Sequence, residues 1–277
     1  MFKDVSIATR PSPRGSLLLG EDFAAATPNA IVVLDGVSVP AGMDTGCIHG
    51  TPWYVQQLGT RLLVKVGTEA REKMPLPDLL AEAIEETSAL HAGTCDLSHP
   101  GTPAATVAVM RSFGHLGYLV LSDSAVVVDG ADGIQVFQDS RVDATATELA
   151  DVVLATATDN EAHAERRRAM IAQRREARNT PGGYWIASSR PEAAAHALFG
   201  SVRVGCTRRA AVLSDGAMRL HEFGLATWEE LLDTLDLHGP AELIRQVRAA
   251  EDDDPTCVKW PRTKTYDDAT AAFCRFH

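Results

Sequence analysis

The sequence has no closely spaced cysteine pair, no long apolar run and little positive charge, and each shortage excludes a class of protein. Its five cysteines are scattered and odd in number, and the lack of a CxxC pair argues against a disulfide framework and a zinc ribbon. The longest apolar runs are far too short for a signal peptide or a membrane-spanning helix. We therefore expect a cytoplasmic protein with reduced thiols and no membrane partner.

Positive charge is scarce because 37 Asp and Glu residues oppose 26 Lys and Arg residues, for a net charge of -11. Binding to a nucleic-acid backbone requires Lys and Arg to replace counterions, so we expect no nucleic-acid partner. The acidic surplus fits a solvated surface, and it equally fits a cluster of carboxylates that binds cations. Composition alone does not separate these two interpretations.

The apolar pattern predicts a layered α+β protein. The 277 residues can build one large domain or two small ones, and they contain no internal repeat. Apolar runs predict strands at 30–34, 105–110, 116–121, 125–128, 134–137, 184–187, 209–213 and 269–276. Helical spacing predicts a helix capped by Thr51 and others at 77–91, 162–178, 191–199, 228–237 and 240–250. Short turns between the central strands favour antiparallel pairing, and helix pairs segregated from strands favour an α+β sandwich.

One local arrangement recurs along the chain, an acid at the end of an apolar strand. Asp35, Asp123 and Asp215 each follow such a run, whereas Asp267 precedes the last one. A carboxylate at the end of a buried strand is unfavourable when unpaired, and several that converge repel one another. Either Lys and Arg or metal cations must compensate them, and no Lys or Arg directly flanks these acids. Oxygen ligands without His or Cys alongside favour Mg²⁺ or Mn²⁺ over Zn²⁺.

The predicted helix 162–178 is strongly basic. It carries six arginines, namely Arg166, Arg167, Arg168, Arg174, Arg175 and Arg178. One interpretation is a solvated face balanced by the acids of the same helix. The other is a docking surface for an acidic partner or a phosphorylated segment.

The acidic motifs occur in a definite order together with Gly and Thr blocks. The set is Glu21-Asp22, Asp35-Gly36, Gly101-Thr102 with Thr106, Ser122-Asp123-Ser124, Ser214-Asp215-Gly216 and Asp267-Asp268-Ala269-Thr270. This set resembles the protein phosphatase 2C family of metal-dependent Ser/Thr phosphatases, as a divergent bacterial member, from about Glu21 to Phe276. The resemblance implies a single domain over 1–277 with a four-layer αββα sandwich, in which two antiparallel sheets are flanked by antiparallel helix pairs.

The resemblance also implies a catalytic centre with two Mn²⁺ or Mg²⁺ ions. Asp35 would bridge the ions, the Gly36 carbonyl would face the second ion, and Asp215 and Asp267 would hold the first. A water bridging the ions would attack phosphoserine or phosphothreonine in a phosphorylated protein substrate.

Four further acids complete the implied site. Glu21 or Asp22 would hold the second ion, partly through water. Asp123 matches the aspartate that binds a third, weaker ion in bacterial members of the family. Asp268 would orient its neighbours.

Two departures from the family pattern concern substrate handling. Many members carry a His directly after the Asp-Gly pair as a general acid, whereas this chain has Val37, so a water on the metals or His49 could substitute. Members also place a phosphate-binding Arg shortly before the Glu-Asp pair, and here Arg14 or Arg10 could reach in instead. The alternatives are therefore a catalytically weak phosphatase-fold regulator that binds a partner, or a phosphatase of a small phosphorylated metabolite.

Overall fold

The computed structural model describes residues 2–13, 20–156, 158 and 161–276, which form two five-stranded antiparallel sheets and seven α-helices. The strands are β1 (Asp4–Arg10), β2 (Asp22–Thr27), β3 (Ala30–Gly36), β4 (Ala105–Ser112), β5 (Leu116–Leu121), β6 (Ala125–Gly130), β7 (Gly133–Gln138), β8 (Leu198–Val202), β9 (Thr207–Leu213) and β10 (Ala269–Arg275). The helices are α1 (Gly50–Gly67), α2 (Leu76–His91), α3 (Thr147–Leu154), α4 (Glu161–Ala177), α5 (Asp215–Glu222), α6 (Trp228–His238) and α7 (Pro240–Asp252). The first sheet has the order β1-β10-β9-β6-β7, and the second has the order β2-β3-β4-β5-β8.

Strand β3 is apolar throughout because both of its faces are buried. Side chains alternate between the two faces of a strand, so Val32 and Leu34 pack against α1 and α2, while Ile31 and Val33 pack between the sheets. Helices α5, α6 and α7 cover the outer face of the first sheet. These helix, sheet, sheet and helix layers confirm the predicted α+β sandwich. No helix in the described ranges is both long and apolar enough to cross a bilayer.

Two predicted elements are wrong. The segment 191–199 forms a 3-10 turn at Pro191–His196 and then the edge strand β8, instead of one helix. The segment 184–187 forms only isolated bridges, from Tyr184 to Arg178 and from Ala187 to Ala105. Both segments are short, and their final conformation depends on the neighbouring strands rather than on local pattern.

Several elements were not predicted from the sequence, namely β1, β2, β8, α3 and α5. Strand β2 contains three alanines, which have weak strand propensity, and α5 begins at Asp215, in a motif that is typical of a turn. Helix α1 begins at Gly50 with His49 at the cap position, so Thr51 is not the cap. The Thr51 hydroxyl instead donates to the Val37 carbonyl at 3.1 Å, which ties the start of α1 to the end of β3.

The acidic run 251–254 is partly buried. Glu251 lies in α7, fully buried, and its carboxylate accepts from Arg219 and, at 2.5 Å, from Arg248. Asp254 is also buried and accepts from Arg262 at 2.8 Å. Ion pairing to these arginines makes the burial of the two acids possible.

Candidate active site

Strand register brings the predicted acids to one edge of the sandwich. Asp22 lies opposite Asp35 in the β2–β3 pair, and Asp35 lies opposite Thr106 in the β3–β4 pair. A cavity of about 150 Å³ opens at this edge, and four predicted acids line it, namely Asp35, Asp123, Asp215 and Asp267. The packing of the two sheets therefore brings these four acids to one cavity.

A glycine after each of two acids permits a close approach of neighbouring backbone. A Cβ on Gly36 would lie 2.3 Å from the Glu21 carbonyl oxygen, and one on Gly216 would lie 1.9 Å from the Asp268 carbonyl oxygen. No other residue has a side chain small enough for these positions. The Asp-Gly pairs therefore bring Asp35 and Asp215 against the strands that carry the other acids.

At three of the acids, burial and the charges of neighbouring carboxylates outweigh the opposing influences, which for Asp123 include the charge of Arg174. Burial, together with the charges of Asp215 and Asp22, raises the pKa of Asp35 well above its usual range, and the Asp35 and Asp215 carboxyl groups hydrogen-bond each other. Burial also raises the pKa of Asp22 well above its usual range, although Thr270 donates to its Oδ2 at 2.6 Å. The Asp22 Oδ1 atom is buried without a hydrogen-bond partner among the described residues. Burial and the Asp215 charge raise the pKa of Asp123 to about 7.

Asp267 is different, because two cations neutralise it. Lys264 Nζ lies 2.6 Å from Asp267 Oδ1, and Arg219 Nη2 lies 3.4 Å from Oδ2. Burial opposes ionisation, but the charges of Lys264 and Arg219 outweigh it and hold the pKa of Asp267 below its usual range. The expectation that metal ions rather than Lys or Arg compensate these acids is therefore wrong for Asp267. Lys264 is three residues away in sequence and Arg219 comes from α5, so inspection of flanking residues could not find them.

Glu21 and Asp268 are held by local hydrogen bonds. Ser38 Oγ donates to Glu21 Oε2 at 2.5 Å, while burial raises the pKa of Glu21. The two Asp268 carboxylate oxygens accept from the backbone N–H groups of Ser12 at 2.7 Å and Glu21 at 2.5 Å. Asp268 thus holds in place the residue that precedes β2.

The donor set fits divalent cations that prefer oxygen. Asp22, Asp35 and Asp123 present carboxyl groups with raised pKa values, and one Asp22 oxygen has no partner among the described residues. A divalent cation would relieve the repulsion among these acids and Asp215. In the described part of the chain, however, no three of these acids bring one oxygen each within 4.8 Å of one another. The trio expected around the first ion is therefore not gathered at one point, because Asp267 is drawn to Lys264 and Arg219.

The basic helix α4 covers the same cavity, which the sequence prediction did not foresee. Arg167, Arg174 and Arg175 of the helix line it, together with Arg178, the residue that follows the helix. Arg175 donates to the Asp44 carbonyl at 2.9 Å and Arg178 to the Thr102 carbonyl at 2.8 Å. The Nε atoms of Arg167 and Arg174 are buried without a partner in the described ranges. The spacing 167, 171, 174 and 178 is the signal in the sequence that could have indicated this face.

Comparisons with known proteins agree on the architecture. No family model and no curated protein matches the chain. Among solved structures, it is similar over its full length to PppA, a key regulatory component of T6SS in Pseudomonas aeruginosa, with 12% identity, 99% of that chain covered and a TM-score of 0.58. It is similar in the same way to the PPM Ser-Thr phosphatase MsPP from Mycobacterium smegmatis in complex with cacodylate, with 16% identity, 99% of that chain covered and a TM-score of 0.55. A third match is the serine/threonine phosphatase PstP of Mycobacterium tuberculosis, with 12% identity, coverage of 99% of this chain and 98% of that one, and a TM-score of 0.54.

The chain has the fold of the PPM Ser/Thr phosphatases. At these identities the likeness concerns the fold, so the chemistry of this PPM-fold chain has to be argued from its own residues.

Of the two arginines predicted to bind phosphate, Arg14 lies outside the described residues. Arg10 lines a different groove, beside Arg245 and Arg248 of α7, and does not line the acidic cavity. The arginines that do line the acidic cavity come from α4 and the residue that follows it.

The proposed replacement for the general acid is also misplaced. Val37 packs against a small apolar cluster that contains Ala104 and Ile186. His49 is turned away from the cavity, with its Nδ1 3.4 Å from Cys95 Sγ. His49 is not among the residues that line the acidic cavity, so its position at the start of α1, beside the end of α2, does not support the suggestion that it substitutes for the missing His.

Proposed function

We propose that this chain is a metal-dependent phosphatase that hydrolyses phosphoserine and phosphothreonine in proteins. The observation that supports this most directly is the pairing of opposite charges across one cavity. Four aspartates line the cavity, and so do two arginines whose Nε atoms have no partner among the described residues. A bound phosphoryl group needs both partners, metal ions on one side and guanidinium groups on the other.

The metal-binding half would consist of Asp35, Asp22, Asp215 and Asp123, with the Gly36 carbonyl and Glu21 alongside. Their oxygens suit Mn²⁺ or Mg²⁺. When bound, such cations supply neutralisation of the phosphoryl oxygens and lower the pKa of water. Asp267 would join this set by exchanging its pairing with Lys264 for a cation.

The phosphate-binding half would consist of Arg167 and Arg174. A guanidinium group presents N–H donors in a planar fork that matches two phosphate oxygens. The two Nε atoms are already desolvated and without a partner in the described part of the chain, so a phosphate would satisfy donors that otherwise remain unpaired. These side chains would take the place of the N-terminal Arg of the family pattern.

The size of the cavity favours a phosphorylated side chain over a free metabolite. Its volume of about 150 Å³ is smaller than the roughly 300–1,000 Å³ of typical small-molecule sites. A phosphoryl group on a peptide needs only this inner space, while the rest of the substrate stays outside. The metabolite phosphatase is therefore the weaker alternative.

A regulatory protein with weak catalysis remains the second candidate. Two observations favour it, Val37 at the position of the general acid and the pairing of Asp267 with Lys264 and Arg219. PppA, one of the structures of similar fold, is itself described as a regulatory component.

Hydrolysis assays separate these candidates. Purified protein is incubated with p-nitrophenyl phosphate, phosphopeptides and small phosphorylated metabolites, in Mn²⁺ or Mg²⁺ and in EDTA. We expect metal-dependent release of phosphate from phosphopeptides, lost in Asp215→Asn and retained in Asp132→Asn, whose exposed side chain lies in the β6–β7 turn. Absence of turnover with every metal, in a protein that is folded by circular dichroism, would support the regulatory candidate. Turnover of the small phosphorylated metabolites alone would support the metabolite phosphatase.

A further inference from the structure

Two cysteines and two histidines meet at a second site, and none of them lines the acidic cavity. Cys47, His49, His91 and Cys95 each offer one ligand atom, and these atoms all lie within 4.8 Å of one another. We propose that they form a structural zinc site that joins the start of α1 to the end of α2. This site is independent of the proposed phosphatase chemistry.

The distances between ligand atoms match tetrahedral zinc. Bonds of about 2.3 Å to sulfur and 2.0–2.1 Å to nitrogen place the ligand atoms of a tetrahedral Zn²⁺ site roughly 3.3–3.8 Å apart. Cys47 Sγ lies 3.7 Å from His49 Nδ1, 3.6 Å from His91 Nδ1 and 3.3 Å from Cys95 Sγ. Cys95 Sγ lies 3.4 Å from His49 Nδ1. The four side chains thus already surround a point that a zinc ion could occupy with little movement.

Local backbone structure explains how each pair of ligands forms. Cys47 and His49 lie in the loop before α1, between Gly46 and Gly50, whose positive φ angles of 64° and 77° turn the chain at both ends. His91 is the last residue of α2, and the Cys95 N–H donates to its carbonyl at 2.9 Å, which continues the helical path for one more turn. Ligands four residues apart therefore share one face.

The four side chains of this cluster lie in surroundings that suit a bound cation. His91 is completely buried, its Nδ1 faces the Cys47 sulfur, and its Nε2 has no partner among the described residues. Without a metal, the four side chains have only weak contacts to sulfur in the cluster. The Trp53 ring stacks on His49 at 4.2 Å and meets the edge of His91 at 5.1 Å, which shields the site on one side.

The chemistry of the four ligands suits zinc, which takes thiolate sulfur and neutral imidazole nitrogen in tetrahedral sites. Four protein ligands leave no open position, so the site is structural rather than catalytic.

The location suggests what the zinc stabilises. The loop from Val37 to His49 begins directly after Asp35 and Gly36, and it contacts α4 through two backbone carbonyls. Arg168 donates to Ala41 at 3.1 Å, and Arg175 donates to Asp44 at 2.9 Å. A zinc ion at the end of this loop would therefore fix the position of the loop relative to both β3 and α4.

Metal analysis of the full chain tests this proposal. The protein is purified under reducing conditions without a chelating resin, from cells grown with zinc. We expect about one zinc per chain by mass spectrometry of the metal, as a closed site requires. Replacement by Co²⁺ should yield the intense visible absorption of a tetrahedral cobalt thiolate, and this measurement on the unmodified protein needs no variant.

Variants locate the ion. Cys95→Ser and His49→Ala should lose the zinc, whereas Cys257→Ser, a buried cysteine outside the cluster, should retain it. Asp35→Asn and Asp215→Asn should also retain it, which separates this site from the carboxylate cavity. Zinc kept by both cluster variants, a reduced chain that binds neither Zn²⁺ nor Co²⁺, or a Cys47–Cys95 disulfide found by mass spectrometry in place of metal would each overturn the proposal.

Discussion

Asp22 lies directly opposite Asp35 in the β2–β3 pair, and burial raises the pKa of both carboxyl groups well above the ordinary range. One Asp22 oxygen has no hydrogen-bond partner in the described ranges. Two buried acids this close together are stable either when protonated or beside a compensating cation, and a divalent cation would supply that charge.

Asp35→Asn should weaken binding of Mn²⁺ by at least about 10–100-fold, since even the loss of a group that only orients a metal ligand costs that much. Titration calorimetry on chelator-treated protein measures the affinity. Asp132→Asn, an exposed acid in the β6–β7 turn, is the matched control and should leave the affinity unchanged. Equal affinity of Asp35→Asn and the control would remove Asp35 from the metal site.

The stability of the metal-free protein should decrease as pH rises, because of Asp123. The carboxyl group titrates near 3.9 in an unfolded chain and at about 7 in the folded protein, so its protonated form favours folding. This contribution is complete below about pH 4 and is lost as pH rises through about 7. Urea unfolding in EDTA at several pH values measures the effect, and Asp123→Asn should flatten the profile by about 2 kcal/mol or less after solvent screening. An identical slope in the variant would contradict the assignment.

Arg174→Ala should reduce the apparent affinity for phosphate and phosphopeptide by about 10–100-fold, the value of one or two hydrogen bonds to a charged group. Arg167→Ala should behave similarly, because both Nε atoms face the cavity without a partner among the described residues. Steady-state KM values and inhibition by inorganic phosphate measure the change. Arg166→Ala, an exposed residue of the same helix, is the control. Should phosphate inhibit the Arg174 and Arg167 variants as strongly as the control, the phosphate would have to bind elsewhere.

Lys264→Met should strengthen Mn²⁺ binding several-fold, because it removes the cation that lies 2.6 Å from Asp267 Oδ1 and frees this carboxylate for the metal. Calorimetry against Lys259→Met, a lysine that contacts the Trp260 ring instead, isolates the effect. Unchanged or weaker binding would show that Asp267 serves the ion-pair network and not the metal.

Glu251→Ala should destabilise the protein by about 3–5 kcal/mol, the cost of breaking a buried ion pair by removing one partner. The substitution leaves Arg219 and Arg248 without their shared carboxylate. Urea unfolding measures the loss, and Glu85→Ala on the exposed face of α2 should stay within about 0.5 kcal/mol of the parent protein. A loss below about 1 kcal/mol for Glu251→Ala would mean that the arginines find other partners.

The sequence by itself determined the main strands, the long helices and the identity of the acids. Strands such as β3 and β4 are buried on both faces, so their apolar runs are continuous and visible in isolation. The acids at their ends are equally local features. The order of the acidic motifs carries the family resemblance, and this resemblance implied the sandwich and a shared metal site for Asp35, Asp123, Asp215 and Asp267.

Only the tertiary structure decided which groups face these acids and one another. Lys264 and Arg219 neutralise Asp267, α4 turns its arginines toward the cavity, and Cys47 meets Cys95 from a segment 48 residues away. Periodicity and turn chemistry act within a few residues along the chain. Ion pairs and ligand clusters arise where separate elements pack, so their partners are set by the stacking of sheets and helices and not by local sequence.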